Sequence, residues 1–236
     1  MNSNKLGLAL GRELRSYFLS PIAYIVTGVF LVVTGWFFFN KFFFYDVADL
    51  REFFRLLPLV LSFVVPAVTM RLVSEEFRSG SFEVTSTLPT GAMRIILGKF
   101  LASLILITMM LIPTISYAIF ASRMGDLDWG PALAGYIGAI FLSGSFCSIG
   151  LFASTLTKNQ VIAYIIGVAI SVFLATVDEM LLFVPGSVAR VLQYIGSDYH
   201  FANIAKGVLD SRDIVYFVSL MAVSLYASHR VLQSKR

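Results

Sequence analysis

Six long apolar stretches constrain the fold of this chain more than any other feature of its sequence. They cover residues 22–39, 54–73, 100–122, 132–156, 161–177 and 214–232. A helix needs roughly 20 apolar residues to cross a bilayer core of about 30 Å, and a crossing segment must be helical because lipid offers its backbone no hydrogen-bond partner. With a mean hydropathy of +0.83 and 14% charged residues, residues 1–236 are predicted to form one all-α transmembrane domain with six membrane-spanning helices.

The segment before the first span, residues 1–20, has the pattern of an amphipathic helix. Its apolar residues recur at helical spacing and its cations fall on the opposite side, which is typical of a helix that lies in the membrane interface. The apolar residues are Leu6, Leu10, Leu14 and Tyr17, and the cations are Lys5, Arg12 and Arg15. A cleaved signal peptide is disfavoured because Glu13 stands among the cations and no small-residue cleavage site follows.

The distribution of charge predicts the orientation. If the N-terminus is inside, the inner segments carry a net charge of +7 and the outer segments carry −3. Because Lys and Arg are retained in cytoplasmic connections during insertion, both termini are predicted to be cytoplasmic. The chain is thus expected to be a multi-pass protein of a bacterial cytoplasmic (inner) membrane.

Two long polar connections remain outside the spans. Residues 74–98 form the largest inner connection, and residues 178–213 form the outer segment between spans five and six. The outer segment is partly apolar around Met180–Val184, a stretch too short to span and predicted to re-enter or to lie along the outer leaflet. It is expected to act either as a gate or as a simple interfacial cover.

Within the spans, small residues and prolines predict close packing and kinks. Span four contains five small residues that let helix backbones approach closely in lipid, namely Gly138, Gly144, Ser148, Gly150 and Ser154. Pro58, Pro66 and Pro113 lie inside apolar spans, where a proline can bend a helix.

The sequence has no motif of an autonomous enzyme. Gly98-Lys99 lacks the remaining residues of a phosphate-binding loop, and no HExxH, CxxC or GxSxG motif occurs. The six cores also lack the carboxylates that ion-coupled carriers use. The chain is therefore predicted to have no catalytic site and no cofactor or metal of its own, and no nucleic-acid partner.

The polar connection itself carries a recognisable pattern. The stretch EEFRSGSFEVTSTLPTGAMRIILGK, which begins at Glu75, resembles the signature of the permeases of the ABC-2 family of ABC transporters. The matching residues are Glu75, Glu76, Gly80, Ser81, Glu83, Leu88, Pro89, Gly98 and Lys99. Residues 13–26 and 200–217 are most similar to the gliding-motility-associated subgroup of these permeases.

The resemblance implies a coupling helix within residues 74–98 that sits in a groove of a separate cytoplasmic ATPase subunit. Recognition of a helix in a groove uses apolar anchors and charged flanks. The coupling residues implied here are Glu75, Glu76, Phe77, Arg78, Gly80, Ser81, Phe82, Glu83, Val84 and Leu88.

The resemblance also implies the rest of the complex. Two ATPase subunits, which bind ATP and Mg²⁺, would serve this chain and a second permease copy or a related permease within the bilayer. Spans two and five would line the substrate path, with Ser62, Thr69, Ser171 and Thr176 as its polar points.

Three functions remain open at this stage. The chain would export an amphipathic or lipid-linked substrate, because the implied path is mostly apolar. Alternatively, the complex would use ATP hydrolysis to move or load a periplasmic partner protein. The third interpretation, from a different class, is a membrane scaffold with no energy partner.

Overall fold

The computed structural model describes residues 3–45, 49–81, 92–179 and 192–235, which are mostly helical and contain no strand. Because Asp128, Asn159 and Asp210 each accept a hydrogen bond from a backbone N–H two residues later, three of the helices begin with a side-chain cap. The helices are α1 Ser3–Phe18, α2 Pro21–Tyr45, α3 Arg51–Thr69, α4 Arg71–Ser79, α5 Ala92–Leu111, α6 Ile115–Met124, α7 Trp129–Leu156, α8 Gln160–Thr176, α9 Ser197–Ala205 and α10 Ser211–Ser234.

Six helical segments of the described chain are long and apolar enough to cross a membrane, which confirms the predicted fold class and the number of spans. Helices α3 and α4 form the second segment, and α5 and α6 form the third. Several bounds differ from the predicted ones. The six segments are Pro21–Asn40, Arg51–Ser79, Ala92–Met124, Trp129–Leu156, Gln160–Glu179 and Ser211–Ser234.

Helix α7 is the centre of the bundle. It is the most enclosed of the six segments and contacts α3, α4, α5, α8, α9 and α10. Glycines allow this approach: a Cβ at Gly135 would lie 2.4 Å from the Phe54 ring, and one at Gly150 would lie 2.0 Å from Thr69 Oγ1. The predicted close packing of span four is confirmed at these contacts.

The three prolines differ in effect. Pro113 lies in the 3₁₀ turn Ile112–Thr114 that separates α5 from α6, so span three departs from regular α-helix there. Pro58 and Pro66 both lie inside α3, which continues to Thr69. Because a proline removes only the bond to the carbonyl four residues earlier, Pro66 affects Ser62 O and not the end of the helix.

The two ends of the bundle differ in chemistry. We call the end that carries both chain termini the terminal end, and the opposite end the far end. At the far end, Phe38 stacks on Tyr117 with ring centroids 5.1 Å apart, and Phe54 meets Tyr136 edge to face at 5.4 Å. Such ring pairs stabilise packing by roughly 0.5–1.5 kcal/mol beyond area burial.

Candidate coupling site

The predicted coupling residues begin on a helix that is continuous with span two. Glu75, Glu76, Phe77 and Arg78 lie on α4, which ends at Ser79, beyond the predicted end of the span at Val73. Gly80 ends the helix with a φ of 73°, a left-handed conformation that glycine adopts without steric cost. Ser81 follows and is exposed, whereas Phe82, Glu83, Val84 and Leu88 lie outside the described residues.

A serine of span four holds the start of this helix. Ser154 Oγ, on α7, donates to Met70 O at 2.8 Å and accepts from the N–H groups of Val73 and Ser74 at 3.0 Å each. The first N–H groups of a helix have no partner within it, and the residue that precedes α4, Met70, provides no side-chain cap. Ser154 therefore supplies from α7 the cap that α4 lacks.

A buried lysine joins α4 to α1 and α5. Lys99, whose side chain is 3% exposed, places Nζ 2.7 Å from Glu76 Oε1 and 3.0 Å from Glu13 Oε1. A buried ammonium needs such partners because its transfer out of water is costly. The sequence predicted Lys99 as a motif residue and Glu76 as both a motif and a coupling residue, and it did not predict their contact with Glu13.

The last residues of α10 form a third connection. Lys235 Nζ donates to Thr155 O at 2.8 Å and Leu156 O at 3.3 Å, and it lies 4.6 Å from the centroid of the Phe77 ring. The final carbonyls of α7 lack partners within the helix and form the negative end of its dipole, so a cation stabilises them. Partial burial, with the nearby charge of Lys158, lowers the pKa of Lys235.

Helices α1, α4 and α5 enclose a cleft of about 590 Å³ at the terminal end. Tyr17 forms part of its wall, its hydroxyl group lies 3.4 Å from Val68 O, and burial raises its pKa. Carboxylates and cations meet in this cleft, and Lys99 pairs there with Glu13 and Glu76. The charged lining residues are Glu13, Arg71, Glu75, Glu76 and Lys99.

The predicted path residues lie within the helix packing of the single chain. Ser62 and Thr69 are fully buried and donate to carbonyls of their own helix, to Leu59 O at 2.7 Å and Val65 O at 3.0 Å. Thr176 donates likewise to Val172 O at 2.9 Å, and Ser171 is also fully buried. A path along spans two and five stays a prediction, and it would require α3 and α8 to move so that these hydroxyl groups become accessible.

The outer segment is fixed to α10 at the far end. His200 Nδ1 lies 2.6 Å from Asp213 Oδ1, and Nε2 lies 3.1 Å from Tyr194 O. A carbonyl oxygen can only accept, so Nε2 is the donor in the bond to Tyr194 O. The ring of Tyr216 stacks on His200 at 4.0 Å. The predicted re-entrant stretch around Met180–Val184 lies outside the described residues.

The polar side chains at the terminal end connect helices to one another. Among residues 3–45, 49–81, 92–179 and 192–235, no group of three or more His, Cys, Asp or Glu side chains could hold a metal ion. The polar contacts of the terminal end instead join α4 to α1, α5, α7 and α10. An arrangement of this kind can pass a displacement of α4 to the other helices.

Six membrane-spanning helices define the chain as a multi-pass membrane protein. The family model described as ABC-2 family transporter protein matches residues 39–208, more than half of the 236 residues. The chain therefore belongs to the ABC-2 family, the membrane components of ABC transporters, which pair with an ABC ATPase. No curated protein matches the chain.

Proposed function

We propose that this chain is the permease subunit of an ABC exporter and that a separate cytoplasmic ATPase docks on α4 and the residues that follow it. The observation that carries the proposal is the connection of α4 to four other helices by Ser154, Lys99 and Lys235. A segment held in this way transmits a push into the bundle instead of bending alone. Glu75 and Arg78 are exposed on the same helix and are available to a partner.

The orientation follows from charge. The segments at the terminal end carry a net charge of +7, against −3 for the opposite side, and positive connections stay in the cytoplasm. The terminal end therefore faces the cytoplasm of a bacterial cell, where ATP is available, and the outer segment faces the periplasm. In this orientation α1 would lie in the inner membrane interface.

The working complex contains two ATPase subunits, which bind ATP and Mg²⁺, and two permease chains. The second permease is another copy of this chain or a related one. Closure of the ATPase subunits would move the two α4 segments together and shift the spans between inward-open and outward-open states.

The substrate is proposed to be amphipathic or lipid-linked, since spans two and five are mostly apolar. A small hydrophilic solute that binds tightly to the purified complex would contradict this assignment. The likeness to the gliding-motility-associated subgroup favours the same architecture, and the alternative role, movement or loading of a periplasmic protein, would use the outer segment as its contact. Capture of such a protein by the far end would distinguish the two roles.

The docking site is tested by charge reversal on α4. We would co-express the chain with each ABC ATPase of the same genome that lacks a membrane domain and compare co-purification from detergent. Arg78→Glu should abolish co-purification, and Phe82→Asp should act in the same way. Arg123→Glu is a matched control, because both arginines are exposed in the last turn of a helix.

Equal co-purification of the wild type, Arg78→Glu and Phe82→Asp would contradict docking on this segment. If the folded wild-type chain bound no ATPase at all, the scaffold interpretation would replace the transporter.

A further inference from the structure

The second span is interrupted close to the residues that face the proposed ATPase. Helix α3 ends at Thr69 and α4 begins at Arg71, with Met70 between them. Met70 still donates its N–H to Pro66 O at 2.8 Å, but the N–H groups of Val73 and Ser74 bond to Ser154 Oγ on α7, at 3.0 Å each. The junction of α3 and α4 therefore depends on a hydrogen-bond partner from another helix.

Helix α7 covers this interruption with two residues one turn apart. Gly150 allows the approach, because any Cβ at this position would overlap Thr69 Oγ1 at 2.0 Å. Ser154 makes the bonds, with one donated to Met70 O and two accepted from Val73 and Ser74. All three partners of the Ser154 hydroxyl group are backbone groups, so these bonds fix the direction in which α4 leaves Met70.

We infer that Ser154 is a positioning residue for energy coupling: it fixes α4 at the interruption and passes the displacement of α4 directly to α7. This inference rests on the proposed function, in which α4 receives the ATPase. Because α7 contacts α3, α5, α8, α9 and α10, a displacement delivered to it reaches most of the bundle. Without the Ser154 hydroxyl group, the first turn of α4 loses its partner on α7, and the contacts of Glu76 with Lys99 and of Phe77 with Lys235 hold only the later part of the helix.

Span four contains a matched control residue. Ser148 is as fully buried as Ser154, but the bond found for its hydroxyl group is to Ser145 O, on its own helix, at 2.7 Å. Ser148→Ala and Ser154→Ala thus each remove one buried hydroxyl group from the same helix. The Ser154 hydroxyl group alone bonds to the α3–α4 interruption, so the comparison separates positioning from general loss of stability.

The first test needs only the full-length permease in lipid nanodiscs. Spin labels at Arg78→Cys and Lys158→Cys, in a Cys147→Ala background that removes the sole cysteine, report the distance from the end of α4 to the end of α7. The wild type and Ser148→Ala should each give one narrow distance, and Ser154→Ala should lose it and give a broad distribution. An equally narrow distance in Ser154→Ala would overturn the inference.

The second test uses the complex with its ATPase and a label pair at the far end, Arg51→Cys with Trp129→Cys. ATP should shift this distance in the wild type and in Ser148→Ala. In Ser154→Ala the complex should still assemble and hydrolyse ATP, but the shift should be lost. A distance shift of wild-type size in Ser154→Ala would contradict the inference. Failure of the wild-type permease to bind any ATPase would instead contradict the proposed function. In that case the first test would still decide whether Ser154 positions α4.

Discussion

The two ends of this bundle hold their helices together with different chemistry. At the terminal end, directional polar bonds of Ser154, Lys99 and Lys235 join α4 to its neighbours. At the far end, aromatic rings such as Phe38 and Tyr117 stack on one another, beside the buried polar pair of His200 and Asp213. Directional bonds fix an orientation, whereas ring packing tolerates small displacements. Under the proposed function, the terminal end would transmit movement and the aromatic contacts of the far end would accommodate it.

The largest expected effect separates a buried ion pair from an exposed one. Lys99→Met removes the buried ammonium group that Glu13 and Glu76 share, which should lower the free energy of unfolding by about 3–5 kcal/mol. Arg51→Met at the far end removes an exposed pair with Asp49, with side chains 72% and 39% exposed, and should cost about 0.5 kcal/mol. Thermal unfolding in detergent measures the loss of stability in each variant. Equal losses would contradict the expectation that the buried pair of the terminal end contributes more than this exposed pair of the far end.

The next effect concerns the approach of α7 to α3. Gly150→Ala places a methyl group against Thr69 and should destabilise the chain by about 1–3 kcal/mol, as overpacking does. Gly28→Ala is the control, because a Cβ there meets no atom within 4 Å. Unfolding in detergent should show a loss for Gly150→Ala alone. If both variants unfolded like the wild type, the tight contact in the structure would be wrong.

A smaller effect tests the attachment of the outer segment. Tyr216→Phe removes the bond from the tyrosine hydroxyl group to Ile195 O and keeps the ring that stacks on His200, so the loss should be about 1 kcal/mol. Limited proteolysis should cut the outer segment faster in this variant. Tyr226→Phe, at an exposed position of the same helix, should leave the rate unchanged, and faster cutting in both would show that the bond to Ile195 is not the cause.

A further expected effect is a pH dependence at the far end. Burial, with the charges of Asp178 and Glu179, raises the pKa of Asp198 to about 6, while Arg55 opposes the shift. A carboxyl group whose pKa is higher in the folded state binds more protons when folded, so stability should fall as pH rises from about 4 to 6. The melting temperature of the wild type should fall as pH rises through this window, whereas that of Asp198→Asn should change less. An equal pH dependence of the two melting temperatures would contradict the raised pKa of Asp198.

The spans and their packing could be predicted from the sequence because they depend on local composition. Apolar length located the six spans, and the small residues of span four indicated its close contacts. The contact between Glu13 and Lys99 joins residues 86 positions apart, and no periodicity reveals such a pair. A weak signal existed, since Glu13 stands among cations and Lys99 opens an apolar span.

The role of Ser154 could not be predicted for a related reason. Its sequence neighbours indicate only a small residue on a packed helix. The need for a cap arises from the interruption at Met70, which belongs to another helix more than 80 residues earlier. The coupling role of all the predicted residues stays a prediction, and Phe82, Glu83, Val84 and Leu88 lie outside the described residues.

The most direct measurement is photo-crosslinking in intact membranes from a photoreactive amino acid at Arg78, with a second variant labelled at Arg123. Both positions are exposed in the last turn of a helix, one at the terminal end and one at the far end. The account predicts a crosslink to an ABC ATPase from Arg78 and none from Arg123. A crosslink to the ATPase from Arg123, or from neither position while the ATPase is bound, would contradict the claim that work enters this protein through α4.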